Sequence, residues 1–365
     1  GLHPHSLYLP LPNPLAAKHH PHPNDHLGSR YHRPLLLPRC SLGKKNRSTL
    51  SALPPLLRNY FLYVSSASHK KQNICAICVI CGQSTMTKNN AKQEVRQFYD
   101  QIGWSQEEDG NYQNTRYEDL RPVSREYISR TRLRVNKHLL PSGRFLLDAG
   151  SGPVQYPEYL TYSEGYDYRV CADISITALQ EAKKRLGAHA QPVVADVANL
   201  PFASDAFDGI VSMHTIHHLP MEEHRAAYKD LYRVLGAGKK AVIINGWSDP
   251  FLMKLFEPLI QLGRVLTGRP TQYGKKKGSD GEKESGTFVR KMNARWLKKE
   301  LNELFPIQIY SWRSLSTRFL RWFIKPKCGG KFFLRVIFWK EDKFSRFFGK
   351  HGQYPMVVFQ KEDQK

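Results

Sequence analysis

The sequence is short of acidic residues, and most of all at its start. Residues 1 to 85 hold one, Asp25, against ten Lys and Arg, while the whole chain of 365 residues has 32 Asp and Glu against 55 Lys and Arg. That first stretch contains ten of the 23 prolines and eight of the 15 histidines, and it lacks any periodic apolar pattern long enough to build a core. It also lacks methionine: all six lie at 86, 213, 221, 253, 292 and 356, and MTKNNAKQEVRQFYDQIGW, from Met86, reads like the start of an ordinary globular protein. Residues 1–85 are therefore expected to be a disordered or non-native extension outside the fold, with residues 86–365 forming the working domain. An acid-poor organelle transit peptide and a functional domain stand as alternatives for 1–85.

Two further absences bound the class of protein. No run of 18 apolar residues occurs, so no membrane-spanning helix is expected. Cysteine is scarce beyond residue 81, with Cys171 and Cys328 alone, which excludes a disulfide framework and suits a reducing, cytoplasmic compartment. Cys75, Cys78 and Cys81 form CAICVIC, a spacing able to ligate zinc or an iron–sulfur cluster, but neither a C-x3-C-P continuation nor a second CxxC follows. No metal is expected. Positive charge is what remains in excess: from Met86 onward there are 45 basic and 31 acidic residues, a net +14, which permits RNA, phosphorylated substrates or anionic lipid as partners.

Apolar spacing predicts helices near 92–103 and 124–140, which together precede the first strand and read as an N-terminal lid. The strand is RFLLDAGSGP, an apolar run stopped by Gly150, Ser151 and Gly152, with a helix expected near Pro153. Strand, glycine turn and helix make a nucleotide cradle. Asp148, immediately before the turn, disfavours a pyrophosphate and welcomes a cationic, phosphate-free cofactor such as S-adenosylmethionine, with its ammonium and sulfonium. A second strand ends at Asp173, where a carboxylate can accept two ribose hydroxyls, and Ser175 is placed to cap the next helix. A third unit puts Asp196 after a Val-rich strand, in reach of an adenine amino group. Either carboxylate could instead close only its own turn. FDGIVSMHT, RAAYKDLYRVL and KKAVIIN then read as strand, helix and strand.

This order resembles the class I S-adenosylmethionine-dependent methyltransferases, most closely the group containing the ubiquinone and menaquinone C-methyltransferases (methyltransferase type 11). The resemblance rests on LLDAGSGP (146–153), ADIS (172–175), ADVANLPF (195–202), FDGIVSMHTIHHL (207–219) and RVLGAG (233–238). It implies an α/β, Rossmann-like fold: a seven-stranded, mostly parallel sheet with helices on both faces and a basic, aromatic insertion before the last strand. By position it also implies S-adenosyl-L-methionine held by Asp148, Ala149, Gly150, Gly152, Asp173, Ile174, Asp196 and Val197. Two departures are visible: Val154 stands where the family has a third glycine, and Ala237-Gly238-Lys239 replaces a Pro-Gly-Gly turn.

SMHTIHHLP sets His214, His217 and His218 within five positions, at the rim where cofactor would meet acceptor. A metal site is disfavoured because no carboxylate ligand stands among them. His217 and His218 read as packing and turn residues, and His214 as a candidate general base or acceptor-positioning group. Beyond the fifth strand, residues 249–268 read as an apolar-faced helix, 271–286 as a solvated loop and 292–304 as a helix with Asn293 at its N-cap, while 307–312 with 354–361 fit the closing antiparallel pair that the resemblance implies. Residues 314–350 carry ten Lys and Arg, ten Phe and Trp and two acids. They read as a cap over the sheet, as a peripheral membrane contact, or as a surface that stacks RNA bases. The expected acceptor is a small or lipid-like molecule; a tRNA or other RNA acceptor and a non-catalytic cofactor-binding protein are the competing readings.

Overall fold

A computed structural model describes residues 89–105, 112–267 and 288–363. The N-terminal stretch with its cysteines, the domain boundary placed at residue 86 and the loop expected at 271–286 lie outside the described residues.

Seven strands form one sheet: β1 (Gly143–Ala149), β2 (Tyr166–Asp173), β3 (Ala190–Val194), β4 (Phe207–Met213), β5 (Leu235–Ile244), β6 (Gln308–Arg313) and β7 (Tyr354–Gln360), in the order β3-β2-β1-β4-β5-β7-β6. The first five are parallel, and β7 runs antiparallel between β5 and β6. Because the chain winds outward in both directions from β1 and β4, a crevice opens at their carboxyl ends, where open α/β sheets bind ligands. Alternate residues of the central strands feed two cores. Leu147, Ala149, Ile210 and Ile243 face one side, and Leu146, Val211, Val242 and Ile244 the other. A strand buried on both faces must read as a continuous apolar run, and Ala241-Val-Ile-Ile does.

Among the described residues ten helices follow in chain order: α1 (Asn89–Phe98), α2 (Pro122–Leu133), α3 (Pro157–Leu160), α4 (Ile176–Leu186), α5 (Met221–Val234), α6 (Phe251–Thr267), α7 (Ala294–Asn302), α8 (Thr317–Phe323), α9 (Gly330–Lys343) and α10 (Ser345–His351). The caps read from sequence are present: Ser175 Oγ accepts from Ala178 N, and Asn293 Oδ1 from Trp296 N. Two local expectations change. The helix after the glycine turn is one turn long and begins at Pro157 rather than Pro153, because Gly150, Gly152 and Val154 all have positive φ and hold the chain out of helical geometry. Ala237-Gly238-Lys239 is no surface turn ahead of β5. It lies within the strand as an irregularity in its pairing with β4, where Gly238 has φ 69 and donates to Lys361 O.

A third core joins α2 to the segment between β6 and β7. Val123, Tyr127 and Ile128 of α2 pack with Leu315, Phe319, Leu320, Leu334 and Phe338 of the segment between β6 and β7. Arg134 fastens it from the inside, donating to Glu341 Oε2 (2.8 Å), Asp342 Oδ1 (3.0 Å), Trp312 O (2.7 Å) and Phe338 O (3.1 Å). Glu341 is fully buried and also accepts from Tyr127 Oη and Ser314 N, so no lone charge is left inside.

Candidate functional site

The Gly150–Gly152 turn sits between the ends of β1 and β4 and owes its glycines to crowding. A Cβ on Gly150 would come 2.1 Å from Thr215 Oγ1, and one on Gly152 3.1 Å from the Trp104 ring. The turn's own amides point back into the protein: Gly150 N and Ser151 N donate to Ala172 O, and Gly152 N to Asp173 Oδ2 (2.9 Å). With no long helix following it, this turn is not built to hold a pyrophosphate.

Asp148 and Arg169 form a buried pair, with Arg169 Nη2 2.6 Å and Nε 3.1 Å from Asp148 Oδ2. Burial pushes the Asp148 carboxyl up and the guanidinium opposes that push. The negative charge expected to attract an ammonium is thus shared with a cation that the sequence reading did not assign, on the neighbouring strand. Asp173 is freer. Its Oδ2 accepts from Gly152 N and its Oδ1 from Ser175 N (2.9 Å), while burial raises it to about 6 against those two amides. Each oxygen keeps a lone pair for a ligand hydroxyl. Asp196 closes its own turn on Ala198 N (2.9 Å) and pairs with Lys92, which also pairs with Glu223. Ala149 and Val197 direct their side chains into the core, so only their backbone can meet a ligand; Ile174 is half-buried beside Asp173.

A strap from α1 to Trp104 crosses the glycine turn and the ends of β2 and β3. Lys92 reaches Asp196, Asp100 accepts from Ser175 Oγ (2.6 Å) and Thr177 N, and Trp104 covers Gly152. Tyr99 stacks on Trp104 with ring centroids 5.0 Å apart and meets His218 Nε2 at 3.0 Å. A helix near 92–103 was legible, and the α-helix here is Asn89–Phe98; the contacts of Lys92, Tyr99, Asp100 and Trp104 were not. Their signal was the repeat Lys92, Arg96, Asp100, which sets charges on one face of a helix whose other face is apolar.

The histidines line the far rim. His217 Nδ1 meets Asn245 Oδ1 (3.2 Å) and His218 Nδ1 meets Phe288 O (2.9 Å), as turn and packing residues would. His214 follows β4 with φ 59, its backbone held by Ile244 O, and its ring stands edge-on to Trp312 (5.1 Å) and Tyr354 (5.4 Å). Burial, with Arg313 nearby, lowers His214 to about 3; burial also lowers His218 to about 4 and holds His217 well below the usual range. All three are neutral at physiological pH. Arg313 is itself buried and paired with Glu118 at 2.6 Å. Among the described residues no group of three His, Cys, Asp or Glu is arranged to hold a metal ion.

Residues 147–243 match the family model described as a methyltransferase domain. The chain carries a class I S-adenosylmethionine-dependent methyltransferase domain. It is similar to the demethylmenaquinone methyltransferase of Corynebacterium urealyticum, 29% identical over 189 residues that make up 49% of this chain and 74% of that protein. It is also similar to the tRNA (carboxymethyluridine(34)-5-O)-methyltransferase of Arabidopsis thaliana, 32% identical over 33% of this chain, and spans only 29% of that protein's length. A solved structure of geranyl diphosphate C-methyltransferase from Streptomyces coelicolor superposes with a TM-score of 0.45 at 14% identity, covering 74% of this chain and 98% of that one. The methyltransferase uses S-adenosylmethionine, and the donor set fits that cofactor. Carboxylates stand at the ends of β2 and β3, and the arginine beside the glycine turn, Arg169, is occupied by Asp148 and Tyr159 O.

Proposed function

We propose that this methyltransferase transfers a methyl group to a small, largely apolar or lipid-like acceptor, and that His214 is the residue that meets it. The observation that carries this reading is the character of the rim beyond the cofactor carboxylates. Its rings are neutral: His214 stands edge-on to Tyr354 and to Trp312, which is itself buried in the core, and of the cations that act on His214, Arg313 is paired with Glu118 while burial disfavours the charge of Lys291. Such a wall favours an uncharged, flat or hydrocarbon acceptor. The similarity to a menaquinone-pathway enzyme across three quarters of its length supports the same reading.

In this proposal Asp173 and Asp196 fix the ribose and adenine of the cofactor, and the Gly150–Gly152 turn lies along its methionine moiety. The bound cofactor supplies a methyl group activated by a sulfonium. The protein aligns that methyl with the acceptor nucleophile and keeps water out, using Tyr99 and Trp104 on one side and the His214–Trp312–Tyr354 rings on the other. His214, held near 3, is a weak base, so its work is to orient the acceptor through a neutral imidazole. Rates should then show no limb assignable to His214 between about pH 5 and 8.

Incubating the full chain with labelled cofactor and, separately, lipid extract, metabolite extract and total RNA tests the acceptor class. Label is expected in the lipid or metabolite fraction, and label in RNA would replace this reading with the tRNA one. If His214→Ala leaves turnover on the labelled acceptor unchanged, the role given to His214 is lost.

A further inference from the structure

The segment between β6 and β7 has two unlike sides. Both of its acids are paired: Glu341 is buried on the inner side against Arg134, Tyr127 and Ser314, and the exposed Asp342 pairs with Arg134 and Lys137. Its outer side keeps the cations and much of the aromatic surface. On α9, Phe332 is 74% exposed and Trp339 55%, with Lys343 lying over the Trp339 and Phe344 rings. Lys331, Lys340, Arg346 and Lys350 are exposed around them.

A second helix continues this surface. The sequence reading gave α6 an apolar face, and the structure leaves much of that face in solvent: Phe251, Leu255, Leu259 and Leu262 follow helical spacing and each is more than half exposed. Ring contacts tie α6 to its neighbours. Phe256 packs on Phe319 and Phe323 of α8 at 4.9 and 6.1 Å, and Phe251 reaches His351 of α10, which meets Phe347 at 4.9 Å. Its acid Glu257 is paired with Arg318. Single exposed apolar residues are ordinary, but a helical stripe joined to an aromatic, basic face is not.

We propose that α6, α8, α9 and α10 form a docking surface for an anionic lipid bilayer, with the Phe, Trp and Leu side chains entering the interface and the Lys and Arg heads meeting lipid phosphates. Charge selects this occupant. A second copy would bring the same cations face to face, and RNA offers nothing for an aliphatic stripe of leucines to bury against. A bilayer interface takes both, since lysine stems lie along apolar surface while their ammonium groups reach the headgroups. The surface shares no named residue with the methyl-transfer site, so this proposal is tested apart from the identity of the acceptor.

The test is sedimentation of the full chain with phosphatidylcholine vesicles, with and without phosphatidylglycerol. Binding is expected to the anionic vesicles, weakened by salt, and little to the neutral ones. Leu255→Ser with Leu259→Ser, and separately Phe332→Ser with Trp339→Ser, should each lower partitioning about tenfold or more, without altering thermal unfolding because all four residues are exposed. Lys340→Glu with Lys343→Glu should lower it on the order of a hundredfold. In wild type the tryptophan emission should shift to the blue on binding, and Trp339→Phe should remove that shift while most of the binding stays. Equal binding to both vesicle types overturns the proposal, as does anionic binding that the apolar variants leave intact. So does retention on polyuridine RNA, or dimerisation abolished by the apolar variants, in the absence of vesicle binding.

Discussion

The two halves of the crevice respond oppositely to one physical cause. At the ends of β1 and β2, burial raises acids: Asp173 moves up to about 6, and Asp148 is pushed the same way against Arg169. At the ends of β4 and β5, burial lowers bases: His214 falls to about 3 and His218 to about 4. Removal from water disfavours whichever form is charged. Above about pH 6 the first half therefore presents Asp173 as an anion, while the second presents neutral rings. A cationic, hydroxyl-bearing cofactor suits the first and an uncharged acceptor the second. The division comes from which residue type stands at each strand end, since the surroundings are equally dry.

Breaking the buried pair in the first half should have the largest effect. Arg169→Leu leaves Asp148 buried without its cation and is expected to destabilise the fold by about 3–5 kcal/mol, measured by chemical denaturation. Asp148→Leu added to it should restore most of the loss, because an apolar pair of similar bulk needs no compensation. If Arg169→Leu alone costs under about 1 kcal/mol, the pair is not what holds β1 and β2 together here.

Next comes the carboxylate left free for a ligand. Asp173→Asn replaces an acceptor of four bonds by a weaker one and should weaken binding of S-adenosylhomocysteine by about 2 kcal/mol, roughly thirtyfold by titration calorimetry. The same residue sharpens the comparison through pH. Cofactor affinity should fall as pH drops through about 6, where Asp173 takes up its proton. Stability should move too, and the signs differ between halves. Asp173, raised in the fold, contributes stability that is present at acid pH and lost as pH rises through about 6. The three histidines, lowered in the fold, contribute stability present above about 6.5 and lost as pH falls toward 4. Three groups outweigh one, so the melting temperature should fall between about pH 6.5 and 4, and His217→Gln should flatten that fall.

How much of this was readable from residues alone follows the same line. Strand order, the Ser175 and Asn293 caps and the carboxyl-end positions of Asp148, Asp173 and Asp196 were legible, because alternation, turn residues and capping are local signals. What those carboxylates touch was not. Arg169 lies 21 residues from Asp148, and Lys92 lies 104 from Asp196; such pairings exist only once β2 is beside β1 and α1 crosses the crevice. Likewise SMHTIHHLP gave the place of His214 but not its titration, which depends on Trp312, Arg313 and Tyr354 arriving from the other end of the chain. The basic, aromatic segment left cap, lipid contact and RNA surface all open because composition cannot sort one helix face from the other. In the fold Phe319 and Phe338 go inward and Phe332 and Trp339 outward.

The smallest expected effect concerns Val154, one of the two places where this sequence departs from the family pattern. Val154 is fully buried and held at φ 53, a left-handed conformation that a β-branched side chain adopts only at an expense of about 1–2 kcal/mol. Val154→Gly removes that strain and also removes buried apolar surface worth about 1.5–3 kcal/mol. The two terms oppose, so the net loss in stability should stay near 1 kcal/mol, far less than a buried valine truncated in a relaxed backbone would suggest. A loss above about 3 kcal/mol would mean that the valine is unstrained and acts only as core. A gain in cofactor affinity in the same variant would instead place the strain in the turn that the cofactor must press against.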